Sequence, residues 1–143
     1  MNPALAIASI LAAVAAAVHI FMGGHAVATP LLDSAMEARP KLILYAVWHM
    51  ASVALCLSAA ALFVGGLRRH AEPSRYLVRF ISLLWCCFGA TFLAVIAIQP
   101  DGGWLFKLPQ WTLLLPVGLL GFWGSTGSTR GLRRGATIPT NAQ

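Results

Sequence analysis

Histidine is the residue type with the widest chemistry in this chain, and three of its four copies lie between positions 19 and 50. His19 and His49 interrupt runs that are otherwise almost wholly apolar. An ionisable side chain in such a run usually marks a functional site, and imidazole is the commonest metal ligand near neutral pH. The two residues therefore predict a histidine-centred site.

Spacing along two predicted helices puts His19 and His49 at the same depth. His19 lies about seven residues before the end of one predicted span and His49 about eight after the start of the next, so both are expected roughly 10–12 Å below one boundary. Spans joined by a short connection are usually neighbours. We predict a pocket formed by His19, His49, Met22 and Tyr45, with His25 as a candidate third metal ligand beside the two histidines.

The residues leave the occupant of this pocket open. The histidines could simply hydrogen-bond to a neighbouring helix, or bind copper, another transition metal or haem b, or act as a proton relay or organic-ligand site. Copper would favour the soft ligands Met22, Met50 and Cys56, whereas haem would need the space beside the small alanines of the first two spans. No CxxC, HExxH or CxxCH motif accompanies the histidines.

The elements that must position these residues are predicted membrane spans. Of the 143 residues, 59% are hydrophobic and 10% charged, with a mean hydropathy of +0.77, whereas soluble domains carry about 25% charged residues. Four segments approach or exceed the ~20 apolar residues of a span: about 4–26, 42–66, 77–98 and 104–124. The sequence predicts an all-α fold, an integral membrane four-helix bundle over residues 1–124. Pro109 and Pro116 interrupt the fourth segment, and Pro116 is expected to kink the last helix. All three cysteines lie in apolar runs, which argues against a disulfide framework.

Basic residues predict the orientation of this bundle, because cytoplasmic loops are enriched in lysine and arginine. Seven of the ten lie between spans two and three or in the tail, and three lie in the other two loops. We expect both termini in the cytoplasm and the loops 27–41 and 99–103 outside. The net charge of +6 then reflects topology and not nucleic-acid binding. The basic tail, 125–143, is expected to be disordered.

Several single positions receive smaller roles. Gly23 and Gly24 are expected to loosen the end of the first helix. Asp33 and Glu37, in the outer loop, could fold over the histidine pocket. His70 is expected to be a solvated surface residue, and Asp101 to cap the fourth helix.

The stretches "HIFMGGHAVATPLL" and "YAVWHMASVALCLSAAAL", with the short four-span layout, resemble small bacterial four-helix membrane proteins of the DoxX-like and anthrone-oxygenase-like kinds. The resemblance covers about residues 4–124 and rests on architecture. It implies a bacterial inner-membrane location, and likeness to the anthrone-oxygenase group implies oxidation of a polycyclic phenolic substrate. It assigns no site residue.

Three functions follow as hypotheses. The first is a redox or binding role for a metal or haem held by the histidines. The second is a membrane oxidoreductase that acts on a hydrophobic substrate, with a histidine as general base. The third is a non-catalytic accessory subunit. The lipid bilayer is the expected partner in all three, with a homo-oligomer or a larger membrane complex as further assemblies.

Overall fold

The computed structural model describes residues 1–100 and 103–134, with side chains as far as residue 126. Every regular element in these ranges is helical. The helices are α1 Pro3–Asp33, α2 Ala38–Gly66, α3 Arg75–Ala97, α4 Trp104–Lys107 and α5 Trp111–Arg134. A short 3-10 turn, Arg68–His70, lies between α2 and α3.

Helix α1 begins at Pro3 because Asn2 caps it. The Oδ1 of Asn2 accepts hydrogen bonds from the amides of Ala4 and Leu5, at 3.0 and 3.4 Å, and proline at the first helical position has no amide hydrogen to satisfy. The helix continues to Asp33 through a π-helical turn at Gly24–Ala28. It therefore extends seven residues past the predicted end of the first span at 26 (33 minus 26).

Helices α1 and α2 lie side by side in opposite directions. The amide of Asn2, before the start of α1, donates to the carbonyl of Gly66, the last residue of α2, at 2.9 Å. Along this interface α1 presents small residues that allow close approach. Four alanines on this face of α1 are all buried: Ala8, Ala12, Ala15 and Ala16.

Helices α3 and α5 form the most extensive interface in the fold, and glycine makes it possible. A Cβ atom on Gly118 would lie 2.7 Å from the carbonyl oxygen of Ser82 and 3.0 Å from the amide nitrogen of Cys86. A Cβ on Gly121 would collide with the Ser82 side chain, and one on Gly89 would lie 2.7 Å from Leu115. The order of these contacts shows that α3 and α5 run antiparallel.

The core lies where these two helix pairs meet. Trp85 of α3 is its largest fully buried side chain, with Leu62 of α2 and Val117 of α5 in the same cluster. Helix α1 contributes mainly alanine to this cluster, so its small side chains leave room for an indole ring. Residues of large volume on one helix are thus matched by small ones on another.

The fourth predicted span, 104–124, is divided into two helices. Helix α4 ends at Lys107, and Leu108 has φ −121° and ψ 69°, outside the helical region. Pro109 accounts for this break, because proline disfavours helical geometry at the residue before it. Helix α5 then continues through Pro116 to Arg134, ten residues past the predicted end at 124 (134 minus 124). Asp101 and residues 135–143 of the predicted tail lie outside the described residues.

Three helices, α1, α2 and α3, are long and apolar enough to cross a membrane, and a shorter apolar stretch runs over Trp111–Thr126 in α5. Large apolar side chains are exposed on all of them, including Phe21, Leu57, Phe80 and Leu119. Such an exterior fits a lipid environment better than water, because soluble monomers rarely expose large contiguous apolar patches.

Candidate functional site

His19 is bound to the neighbouring helix. Its Nε2–H donates to the carbonyl oxygen of Trp48 at 3.3 Å, and its ring stacks on the Trp48 indole with centroids 4.7 Å apart and planes 20° apart. The hydroxyl of Ser52 donates to the same carbonyl at 3.1 Å. Because a carbonyl oxygen only accepts, Nε2 must carry the proton in this arrangement. His19 therefore joins α1 to α2.

His49 lies on the exposed side of α2. Tyr45 contacts its ring edge to face, with centroids 4.5 Å apart, and Trp48 contacts it in the same manner at 5.1 Å. Within the described part of the chain, neither ring nitrogen of His49 has a hydrogen-bond partner. The ring is thus held by aromatic contacts alone, with both nitrogens available.

His19 and His49 lie at similar levels, because Trp48 contacts both rings. They make no ring contact or hydrogen bond with each other, however. One metal ion held by both imidazoles would require His19 to give up its bond to the Trp48 carbonyl if it bound through Nε2. Among the described residues, no group of three or more His, Cys, Asp and Glu side chains converges.

The soft ligands considered for copper face outward. The Met22 side chain is 67% exposed and that of Met50 69% exposed, and Cys56 is exposed on α2. The predictions of copper, another transition metal or haem b therefore stay predictions, with His19, His49 and His25 as their candidate ligands.

The π-helical turn Gly24–Ala28 positions His25. Such turns are one-residue bulges in a helix and are frequent at functional sites. A Cβ on Gly24 would meet no atom within 4 Å, so the turn is open on this side. The hydroxyl of Thr29 donates to the Gly24 carbonyl at 3.1 Å, which satisfies an acceptor of the widened turn. The paired glycines of the sequence indicated a loosened helix here, but not its π geometry.

A groove of about 400 Å³ lies against this turn. Its walls come from the end of α1 and the start of α2: Ile20, Phe21, Gly24, His25, Ala28, Thr29, Leu32, Tyr45 and Trp48. Of the residues predicted for the site, the groove brings together His25 and Tyr45. The other three residues predicted for the site, His19, His49 and Met22, do not line the groove.

Besides the indole N–H of Trp48, the groove has two polar side-chain groups that are free to bind a ligand among the described residues. Among the described residues, the imidazole of His25 has no hydrogen-bond partner and the hydroxyl of Tyr45 has none either. The remaining walls are apolar and aromatic, apart from the internally bonded Thr29. Apolar walls with a few converging polar groups are the usual composition of a small-molecule site. Trp48 is one of these walls.

The outer loop is fixed beside the groove by Lys41. Its ammonium group donates to the carbonyls of Leu32 and Ser34, at 3.0 and 2.7 Å, and so binds the C-terminal end of α1. A cation at this end also complements the helix dipole. Asp33 and Glu37, expected to fold over the site, are exposed and do not line the groove.

No family model, curated protein or solved structure matches this chain. The resemblance to DoxX-like and anthrone-oxygenase-like proteins stays a prediction. The fold places the protein in a general class only: it is all-helical, with three helices long and apolar enough to cross a membrane.

Proposed function

We propose that the protein is a multi-pass protein of the bacterial inner membrane that binds a hydrophobic small molecule in the groove between α1 and α2. The location is supported by three membrane-length apolar helices and by the segregation of basic residues toward one end of the fold. On this proposal the groove opens near the periplasmic face, and the ends of the chain lie in the cytoplasm.

The observation that carries the binding function is the pair of unpartnered polar groups in an aromatic-walled groove. A volume of about 400 Å³ falls within the range of small-ligand sites, about 300–1,000 Å³. The hydroxyl of Tyr45 can donate and accept, and the imidazole of His25 can do either according to its tautomer. The groove therefore fits a planar, mostly apolar molecule that carries one or two oxygen atoms.

Depth in the membrane favours the same class of ligand. Tyrosine and tryptophan side chains concentrate at the membrane interface, where one part of the ring is apolar and another polar. Tyr45 and Trp48 lie within the first three turns of α2, next to the exposed Phe21 of α1. A quinone or a polycyclic phenol enters such a region from the lipid phase and keeps its oxygen atoms near water.

Binding is tested with 2-methyl-1,4-naphthoquinone as the probe and purified full-length protein in lipid nanodiscs. Quinones quench indole fluorescence, so we expect saturable quenching that is lost in Trp48→Phe. Removing one hydrogen bond should weaken binding about fivefold in Tyr45→Phe or His25→Ala, since such a bond is worth about 1 kcal/mol. Met50→Ala changes an exposed side chain on the same helix outside the groove and is the matched control.

The concentration dependence of quenching and the response of the variants distinguish binding of the probe in the groove from partitioning of the probe into lipid. Quenching that rises linearly with probe concentration would overturn the proposal, and so would unchanged affinity in both Tyr45→Phe and His25→Ala. Equal losses in these variants and in Met50→Ala would point to a general disturbance of α2.

The other hypotheses stay predictions with their own measurements. Metal or haem at His19 and His49 predicts stoichiometric metal or a Soret band in purified protein, lost in His49→Ala. Oxidation of a polycyclic phenol predicts turnover of that substrate by membranes that contain the protein. An accessory role predicts a co-purifying membrane complex, and a homo-oligomer predicts a particle mass of two or more chains.

A further inference from the structure

The end of the fold opposite the groove carries a group of arginines without carboxylate partners, although the Nε of Arg69 donates to Nε2 of His70 at 2.8 Å. Arg68 and Arg69 lie in the 3-10 turn after α2, and Arg75 and Arg79 lie in the first two turns of α3. Within the described residues, none of these guanidinium groups lies within 4 Å of a carboxylate oxygen, and the one acid of this segment, Glu72, is exposed. The backbone of α5 brings three more arginines to the same end: Arg130, Arg133 and Arg134.

Two of the three basic residues at the other end, Lys41 and Lys107, have charges that are already engaged, and Arg39 is the third. The ammonium group of Lys41 binds two backbone carbonyls. That of Lys107 lies over the Trp104 ring, 4.8 Å from its centroid. The unpaired positive charge is therefore concentrated at the start of α3.

Arg75 and Arg79 are the half-buried members of this group. The Nε of Arg75 is buried without a hydrogen-bond partner among the described residues, and its guanidinium carbon lies 5.7 Å from the Tyr76 ring centroid. Arg75 also lines a cavity of about 10 Å³ beside Asn2 and Ser125, which is room for about one oxygen atom. A buried guanidinium donor is costly unless it has an acceptor, so this position favours an acceptor oxygen, which a phosphate can supply.

An apolar surface adjoins these two arginines. Tyr76, Phe80 and Leu83 follow one another along α3 at spacings of four and three residues and are all exposed. They therefore form one continuous stripe that begins beside Arg75 and Arg79 and continues along the helix axis. A charged group with an adjoining apolar stripe matches a molecule with an anionic head and a hydrocarbon tail.

We propose that the start of α3 binds the phosphate of an anionic phospholipid, with Arg75 and Arg79 on the phosphate and Tyr76, Phe80 and Leu83 along an acyl chain. Arginine suits this role because its planar fork donates two parallel hydrogen bonds to phosphate oxygens. The inference rests on the membrane location proposed above but not on ligand binding in the groove.

The test measures binding of fluorescent phosphatidylglycerol to full-length protein in detergent micelles, with fluorescent phosphatidylcholine as the neutral lipid. We expect phosphatidylglycerol to bind preferentially and its affinity to fall as salt rises. A surface arginine contributes about 1 kcal/mol to binding an anionic lipid, so Arg75→Gln with Arg79→Gln should weaken this binding about 30-fold. Arg39→Gln with Lys107→Gln removes two charges at the opposite end and should have little effect.

Each alternative occupant gives a different result. Equal binding of the two lipids would overturn the proposal. So would displacement of phosphatidylglycerol by millimolar inorganic phosphate, which would indicate a free-phosphate site, or by a short DNA duplex, which would indicate a nucleic-acid surface. His25→Ala and Tyr45→Phe should keep full lipid binding, and Arg75→Gln with Arg79→Gln should keep naphthoquinone binding. Failure of one proposal is thereby distinguished from failure of the other.

Discussion

At the scale of single residues, the three histidines near the groove have three different surroundings. His19 is bonded to the Trp48 carbonyl between helices, His49 is held by aromatic contacts on an exposed face, and His25 lines the groove. From the sequence alone, the three histidines are predicted to belong to one site, because they lie near the same end of the predicted spans. The sequence does not give the direction of each side chain. The hydrogen-bonding alternative considered for the histidines matches His19.

His19 is expected to stabilise the fold more than His49. An interhelical hydrogen bond in a membrane protein is worth about 0.6 kcal/mol on average, and a stacked ring pair adds about 0.5–1.5 kcal/mol. We expect His19→Ala to lower the free energy of unfolding by about 1–2 kcal/mol.

Unfolding in mixed micelles, followed by circular dichroism, measures this loss. His49→Ala is the matched control, since the ring of His49 makes no hydrogen bond with a described residue, and we expect a smaller change. A larger loss in His49→Ala than in His19→Ala would contradict the assignment of His19 as the residue that joins α1 to α2.

At the scale of the elements, much of the helical layout can be predicted from composition. Runs of apolar residues predicted α2 and α3 within four residues at each end, because a span needs a minimum number of such residues. The π turn was not predicted, and the fourth span was expected to be interrupted at Pro109 and Pro116 but not to be divided into two helices. Both depend on local backbone choices, at Gly24 and before Pro109, that an average over about 20 residues does not detect.

The widened turn is expected to be needed for the groove and not for the helix. A π bulge is equivalent to one residue inserted in an α-helix, so deletion of Ala26 should restore regular hydrogen bonding and leave the flanking helix faces in register. We expect the deletion to keep the helical signal and abolish saturable naphthoquinone binding. Ala26→Ser keeps the chain length and should bind as the parent does. Full binding after the deletion would show that the bulge has no part in the site.

The α3–α5 interface should be sensitive to a single methyl group at Gly118. The added Cβ would lie 2.7 and 3.0 Å from backbone atoms of α3, which cannot move aside as a side-chain end can. Overpacking of this kind costs about 1–3 kcal/mol, although alanine is the better helix former by about 1 kcal/mol.

Thermal unfolding of Gly118→Ala should therefore show a lower midpoint in spite of the helix propensity of alanine. Gly103→Ala is the control, because its Cβ would meet no atom within 4 Å. An unchanged or raised midpoint in Gly118→Ala would mean that the two helices are not as close as described.

At the scale of the whole molecule, Asn2 joins the start of α1 to the end of α2 and to Gly124 within α5. Its amide binds Gly66 at the end of α2 at 2.9 Å, and its side-chain Nδ2 donates to the carbonyl of Gly124 in α5 at 2.8 Å. The groove forms at the far end, where α1 and α2 extend toward the outer loop. The two proposed sites therefore lie at opposite ends of the bundle: an organic ligand at the outer end, and a lipid headgroup at the basic end.

On our proposal, the direction in which α5 runs determines on which side of the membrane the C-terminus lies. The apolar stretch Trp111–Thr126 holds fewer than the ~20 residues of an ordinary span. Yet α5 passes from Leu115, beside Gly89 near the end of α3, to Gly124, beside Asn2. It returns along the bundle toward the end where the chain begins, so on our proposal both termini lie in the cytoplasm.

Reporter fusions in a bacterium test this directly. We expect green fluorescent protein fused after Gln143 to fluoresce, because it folds in the cytoplasm and not when exported unfolded. Alkaline phosphatase inserted after Ala35 should be active, because it needs the oxidising periplasm. The matched fusion after Glu72, in the basic loop between α2 and α3, should be inactive. A dark fusion at Gln143 with an active insertion at Ala35 would mean that α5 does not cross, and that the protein has three spans with its C-terminus outside.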